Sequence, residues 1–215
     1  MDLSVIIVNY KDYSRLRYCI ESVMLALQEM SWEIIVVDNA SVPFEQSAIQ
    51  KEFPLVSWII NDENKGFSKA NNQALAVVKG RFFLFLNPDT IIPQHIFGTL
   101  IPYLDQHPMA GAIGVKMVDG NGVFLPESKR NIPGIRAAFF KMIGLATIFP
   151  NSSFFNAYAL GGFSSNGIYK VGALTGAFLL VRAEVVNKIG GFDERFFMYG
   201  EDIDFCYRMQ EKGFE

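Results

Sequence analysis

The feature that most narrows the fold is an alternation of two hydrophobic periods across residues 1–86. Residues 5–8 form a short, fully apolar run, as expected of a strand covered on both faces. Leu16, Ile20, Val23, Met24 and Leu27 then recur at helical spacing, with Asp12 or Ser14 placed to cap that helix. The pattern repeats. Strand-like runs cover 32–37, 56–60 and 82–86, and a short helix is predicted over 44–52. A second helical stripe carries Phe67, Ala70, Ala74, Leu75 and Val78, closed by Gly80. The order β-α-β-α-β-α-β predicts an α/β fold: a parallel sheet with right-handed crossovers and helices on both faces.

The second half reads differently. A strand is expected over 110–117, and Asp119-Gly-Asn-Gly122 is a tight turn of the hairpin type. Residues 129–168 have weak periodicity and read as a long excursion. The run 171–181 is apolar with small residues, and helical patterns return over 183–188 and 201–212.

Ligands of parallel sheets bind beyond the carboxyl ends of the strands. That rule selects Asn9-Tyr10, Asp38-Asn39, Asn61 to Lys65, and Asn87-Pro88-Asp89. Asp38 could cap its own turn or accept a hydrogen bond from a base or ribose. Asp89 could cap a helix before Pro93. It could also hold Mg²⁺ or Mn²⁺, sharing the ion with substrate phosphates and water. Near the C-terminus stands Glu201-Asp202-Ile203-Asp204. Acids suit a first helical turn. At about 100° per residue, Asp202 and Asp204 point to nearly opposite sides. Asp204 has Arg208 four residues on, a spacing for an ion pair. Glu201 and Asp202 remain as inward candidates for a general base. Lys65 and Arg130 are cations that could meet a diphosphate, or be solvated.

Several classes are excluded. A net charge of −3 with no basic block argues against duplex nucleic acid as a partner. Cys19 and Cys206 form no C-x-x-C pair and read as small buried hydrophobes. His95 and His107 have no metal-ligand spacing and read as structural. The N-terminal run has no basic leader, and no stretch approaches the ~20 apolar residues of a membrane span. A cytoplasmic location is therefore expected, and the sequons at Asn39 and Asn151 are chance matches. Residues 135–149, with Phe139, Phe140, Met142, Ile143, Leu145 and Ile148 beside Arg136 and Lys141, could lie on a membrane surface, close over a site, or enter the core.

Six motifs in order carry a resemblance: Ser4-Val-Ile-Ile-Val-Asn-Tyr10, Val36-Val-Asp-Asn-Ala-Ser41, Asn64-Lys-Gly-Phe67 with Asn71, Leu86-Asn-Pro-Asp89, Thr175-Gly-Ala177, and the fifteen residues from Gly190 to Asp204. Together the chain resembles family 2 glycosyltransferases of the GT-A fold, especially the rhamnosyltransferase-like branch. The resemblance implies a Rossmann-like, mostly parallel sheet plus a smaller mixed C-terminal part. It implies one domain, with residues 1–106 as the nucleotide-sugar half and 107–215 as the acceptor half. It implies an inverting hexosyltransferase that takes a sugar from a nucleotide-diphosphate donor (dTDP-rhamnose or a UDP-sugar). The acceptor would be a hydroxyl of a cell-surface polysaccharide or lipid-linked saccharide, and the enzyme could sit peripherally on the inner face of the plasma membrane.

By that likeness Asn9, Tyr10, Asp38, Asn39, Asn64, Lys65, Asn71 and Asn87 bind the donor, and Asp89 holds the divalent cation. Asp202 is the base with Glu201 beside it, and Thr175 and Gly176 face the acceptor. The metal element departs from the family's D-x-D, since Asn87 replaces its first acid. Family members also usually continue beyond the equivalent of Glu215, so a C-terminally truncated chain is expected. An inactive or truncated nucleotide-sugar binder is the alternative. A nucleotidyltransferase would want a glycine-rich loop after the first strand, where this chain has Asn9-Tyr-Lys-Asp-Tyr13.

Overall fold

The computed structural model of the chain describes residues 1–27, 30–41, 43–128, 130–132, 134, 139–140, 142–149, 152, 154–155, 158 and 167–215. Ile135, Arg136 and Lys141 of the apolar stretch, and Asn151 of the second sequon, lie outside the described residues.

The elements follow in the order β1 (Leu3–Asn9), α1 (Tyr13–Ala26), β2 (Trp32–Asn39), α2 (Pro43–Glu52), β3 (Ser57–Asn61), α3 (Gly66–Leu75), β4 (Phe82–Leu86), α4 (Ile96–Gln106), β5 (Ala112–Ile113), α5 (Leu145–Ile148), β6 (Phe178–Arg182), α6 (Ala183–Ile189) and α7 (Glu201–Glu211). Among the described residues one sheet forms, in the order β3-β2-β1-β4-β6-β5. The β1–β2, β1–β4 and β2–β3 pairs are parallel. Strand β6 runs antiparallel to both β4 and β5. The sheet is thus mostly parallel with a mixed edge, as the alternation and the resemblance implied.

The strands are apolar at successive positions because both faces are covered. Val5, Ile7, Ile34, Val36, Leu84 and Leu180 point to one core, against Leu16, Ile20 and Val23 of α1 and Phe97 and Leu104 of α4. Ile6, Ile35, Val37, Phe85, Leu179 and Val181 point to the other, against Ala70 and Ala74 of α3, Val185 of α6 and Phe205 and Met209 of α7. Each fully buried aliphatic side chain contributes about 1.5–3 kcal/mol of transfer free energy. The expected cap on α1 is present: the Asp12 carboxylate accepts from Arg15 N at 3.2 Å.

Four local expectations are corrected. The strand over 110–117 shrinks to Ala112–Ile113, because Gly111 instead bonds Arg182 and Glu215 through its backbone. The 119–122 turn forms, with Asp119 Oδ1 accepting from Asn121 N and Val123 N, but it joins only an isolated bridge between Val118 and Phe124. Gly80 does not close α3, which ends at Leu75. It is needed for close packing, since a Cβ there would sit 2.6 Å from Ser4 N and 2.7 Å from Phe82 O. Asp89 caps no helix either: α4 starts at Ile96, with His95 before it.

The antiparallel direction of β6 matters most for function. It brings the start of β6 to the carboxyl ends of the parallel strands, with Phe178 opposite Leu86.

Candidate active site

The polar strand ends meet along one rim. Asp38, at the end of β2, is fully buried. Its Oδ2 accepts from the Tyr13 hydroxyl at 2.6 Å and from Asn9 Nδ2 at 3.3 Å, and its Oδ1 accepts from Ser41 N at 2.8 Å. The carboxylate therefore caps its turn and also ties the β1 and β2 ends together. Asn9 is buried too, and its Oδ1 has no protein partner among the described residues. Tyr10 lies above them, nearly half exposed. A hydrogen bond with Lys11 and the Lys11 charge hold its phenol below the usual value, with the Asn64 amide adding to this.

A ladder of amides sets the next turn. Asn39 Oδ1 accepts from Asn61 Nδ2 at 3.0 Å and Lys65 N at 3.1 Å, while Asn39 Nδ2 donates to Asn64 Oδ1 at 2.9 Å and Gly66 O at 3.1 Å. With Asn39 almost wholly buried, its sequon is closed to modification. Gly66 has φ +80°, and a Cβ there would lie 2.5 Å from Phe197 O, the same oxygen that accepts from Phe67 N at 2.7 Å. Asn71 turns inward and donates to Phe67 O at 2.9 Å. Lys65 opens instead onto a cleft of about 580 Å³ that Lys69, Asn72, Glu194 and Phe197 help to line.

The β4 end joins the acidic helix through the start of β6. Asn87 N donates to Ala177 O at 3.1 Å. One residue earlier, Gly176 N donates to Asp202 Oδ2 at 3.2 Å. Asp89 is exposed on the same loop as Asn87. Asp202 also takes Arg130 Nη2 on Oδ2 at 2.5 Å and Ile203 N on Oδ1 at 2.8 Å. A carboxylate has about four acceptor sites, so these three bonds leave one unfilled among the described residues. Asp204 faces away and pairs with Arg208 at 2.7 Å, as helical spacing predicted.

Glu201 is buried, and its Oε2 has no partner among the described residues. Burial pushes its pKa up from 4.5. Its backbone hydrogen bond opposes this, the Asp202 charge adds to it, and Arg130 opposes it. The folded state therefore holds this proton more tightly than the unfolded chain does. Stability is lost as pH rises above about 4.5. Glu201→Gln is expected to raise the melting temperature at pH 7. The gain should shrink as pH falls through that range. Thermal melts at pH 7 and pH 4 check it, and equal melting temperatures at pH 7 would refute it.

The family model for glycosyl transferase family 2 matches residues 4–166. The chain belongs to that family. It is 27% identical, over 98% of its length and 71% of the relative's, to the N-acetylglucosaminyl-diphospho-decaprenol L-rhamnosyltransferase of Mycobacterium tuberculosis. It is 28% identical, over 97% of its length and 77% of the relative's, to rhamnosyltransferase WbbL of Escherichia coli K12. Its backbone also matches the mannosyltransferase PcManGT from Pyrobaculum calidifontis, solved with GDP-Man and Mn²⁺, at TM-score 0.66 and 16% identity. That match covers 99% of this chain and 53% of the other, so the chain spans little more than half of such solved structures. The fold is GT-A.

In this family 2 chain no group of three or more His, Cys, Asp or Glu gathers to hold a metal ion among the described residues. The donor set fits a shared site: Asp89 offers one exposed carboxylate, and Mg²⁺ or Mn²⁺ would complete its oxygen shell with phosphates and water. Both cysteines are buried, as expected, and burial pushes Cys19 up to about 12 and Cys206 up to about 11.

Sequence reasoning missed two contributors and left the partner of a third open. Tyr13 stood only as the end of the loop after the first strand. Asn72 was not singled out, yet it accepts from Phe192 N at 2.9 Å and donates to Phe192 O at 2.8 Å, strapping the 191–197 segment to α3. Arg130 read as a cation that could meet a diphosphate or be solvated, and the structure places it on Asp202. A polar residue one position from the motif residue Asn71 was the available signal for Asn72. Nothing local pairs Arg130 with a residue so distant in the chain.

Proposed function

We propose that this chain binds a nucleotide-diphosphate sugar over the ends of β1, β2 and β4 and transfers the sugar, with inversion, to a hydroxyl of a saccharide or lipid-linked saccharide. One observation carries the reading. The loop bearing Asp89 and the helix bearing Asp202 are joined through Ala177 and Gly176, so a leaving-group site and a base share one rim.

The residues divide by exposure. Tyr10, Lys65, Asn64 and Asn87 reach the donor, with Tyr10 offering its ring to the base. Asn9, Asp38, Asn39 and Asn71 lie beneath and hold that surface in shape. Residues 1–106 thus form the donor side, and 107–215 bring the acceptor side with Thr175 and Gly176. Asp202 takes the acceptor hydroxyl's proton as that oxygen bonds the anomeric carbon, and the bond to the diphosphate oxygen breaks on the opposite face. A divalent cation at Asp89, when bound, neutralises charge on the departing diphosphate. Likeness to two rhamnosyltransferases favours dTDP-rhamnose over a UDP-sugar as donor, and a lipid-linked acceptor.

Calorimetry with uridine, thymidine and guanosine diphosphates, each with and without Mn²⁺, tests the donor site. One nucleotide should bind, more tightly with metal. Tyr10→Ala should weaken it about 10-fold or more by removing the stacking face. If none binds, the donor site is wrong. Equal binding without metal removes the role of Asp89.

A further inference from the structure

Tyr199 is the most exposed large apolar side chain among the described residues, at 82%. Its backbone is also strained. Tyr199 has φ +70°, in the left-handed region that suits glycine, and Gly200 follows at φ +93°. A bulky residue persists there only when its surroundings over-determine it. They do so here. Phe197 O accepts from Phe67 N at 2.7 Å, Asn72 holds Phe192 by two hydrogen bonds, and Gly200 O accepts from Asp204 N at 3.0 Å. The loop is fixed on both sides of Tyr199 and projects its ring into solvent. Folding alone gives no reason for an aromatic residue at this position. Asn or glycine would adopt the same backbone with less strain and no exposed ring.

The strain gathers around the candidate site. Lys11 and Ala40, two of the three other non-glycine residues with positive φ among the described residues, follow the ends of β1 and β2. Tyr199 stands three residues before Asp202, a backbone reach of at most ~11 Å. Phe197, half exposed two residues earlier, lines the cleft onto which Lys65 opens. The 197–199 loop therefore runs from that cleft to the helix carrying the candidate base. Met198 between them is half exposed as well.

We propose that Tyr199 is the platform on which the acceptor saccharide stacks, so that its reacting hydroxyl is presented to Asp202. The inference rests on the sugar-transfer reading of the same site. The face of an aromatic ring is negative, and the C–H bonds on the flatter face of a sugar ring are weakly positive. The two attract, and each removes apolar area of the other from water. The sugar hydroxyls lie around the edge of such a stack, free to meet polar groups. A Tyr ring on a fixed backbone also loses little conformational freedom on binding. The donor nucleotide suits this ring less well, because Tyr10 at the end of β1 already offers a face to the base.

Saturation-transfer NMR titrations of the chain with methyl β-N-acetylglucosaminide, methyl β-glucoside and methyl α-rhamnoside test this. At least one glycoside should bind, with the strongest signal on the ring protons of one sugar face. Tyr199→Ala and Tyr199→Asn should weaken that binding about 5-fold or more, while Tyr199→Phe and Tyr199→Trp keep it. Asn tolerates the left-handed backbone, so Tyr199→Asn should melt no lower than the parent. A purely conformational role predicts a different result, with Ala impaired in both melting and binding and Asn normal in both. The inference is overturned by that result, by equal glycoside affinity in Tyr199→Ala, or by a parent that binds none of the three. Nucleoside-diphosphate affinity should be the same in all four variants. A loss there moves Tyr199 to the donor and overturns the inference too. The two readings fail separately. A parent that binds a glycoside through Tyr199 but no nucleoside diphosphate sinks sugar transfer alone, and one that binds a nucleoside diphosphate but no glycoside sinks the platform alone.

Discussion

Asp202→Asn lowers the rate of sugar transfer by about 10²–10⁴-fold, the usual contribution of a positioned general base. Nucleoside-diphosphate affinity stays at the parent value, because Asp202 touches Arg130, Gly176 and Ile203 rather than the strand ends assigned to the donor. The amide keeps one acceptor oxygen for Arg130 but loses the charge that balances the guanidinium. Arg130 is partly stripped of water, which by itself would lower its pKa, yet the Asp202 charge and hydrogen bond hold it above the ordinary value. A drop in Tm is therefore expected alongside the loss of rate. Single-turnover rates on chain shown to be folded separate the two effects. Transfer at the parent rate would assign the proton acceptor elsewhere, with Glu201 next in line.

Phe205→Ala destabilises the protein by about 3–5 kcal/mol, the range for truncating a buried Phe. Phe205 is fully buried, with ring centroids 6.3 Å from Phe85 of β4 and 5.2 Å from Phe192. Phe85 and Phe192 lie 4.7 Å apart, so removing the third ring opens a cavity between α7, the sheet and the 191–197 segment. At ~2–4 °C per kcal/mol for a chain of this size, Tm falls by about 6–20 °C. Phe205 sits one turn along α7 from Asp202, so any movement that fills the cavity also shifts that carboxylate. Phe205→Leu should recover much of the stability. Urea unfolding of the three proteins checks the order, and an unchanged midpoint in the Ala variant would show that this cluster does not hold α7.

Much of the first half of the chain was legible in the sequence because its determinants are local. A strand buried on both faces must be apolar at successive positions, and β1, β2 and β4 are. A crossover helix must carry an apolar stripe, as Leu16, Ile20 and Val23 do. The polar residues after each strand could be named from spacing because parallel strands all end at one edge. The opposition of Asp202 and Asp204 followed from helix geometry, and the Asp204–Arg208 pair bears it out.

The second half was less legible, for a different reason. Phe178–Arg182 is a strand because the edge of β4 was free to take it, and Ala112–Ile113 is one because β6 in turn left an open edge. Their own composition suits longer strands equally well. Gly80 looked like a helix stop, a role that depends only on its neighbours, while its actual role depends on Ser4 across the sheet. The sequence by itself determined the α/β class, the layout of the parallel strands and the family, because repeated local periodicities and ordered motifs need no partner to be read. Only the tertiary structure decided that Asp38 is a buried tie, that Arg130 meets Asp202, and that the β6 start links Asn87 to the acidic helix. Those contacts join residues tens of positions apart, through a sheet whose antiparallel edge no local pattern announces.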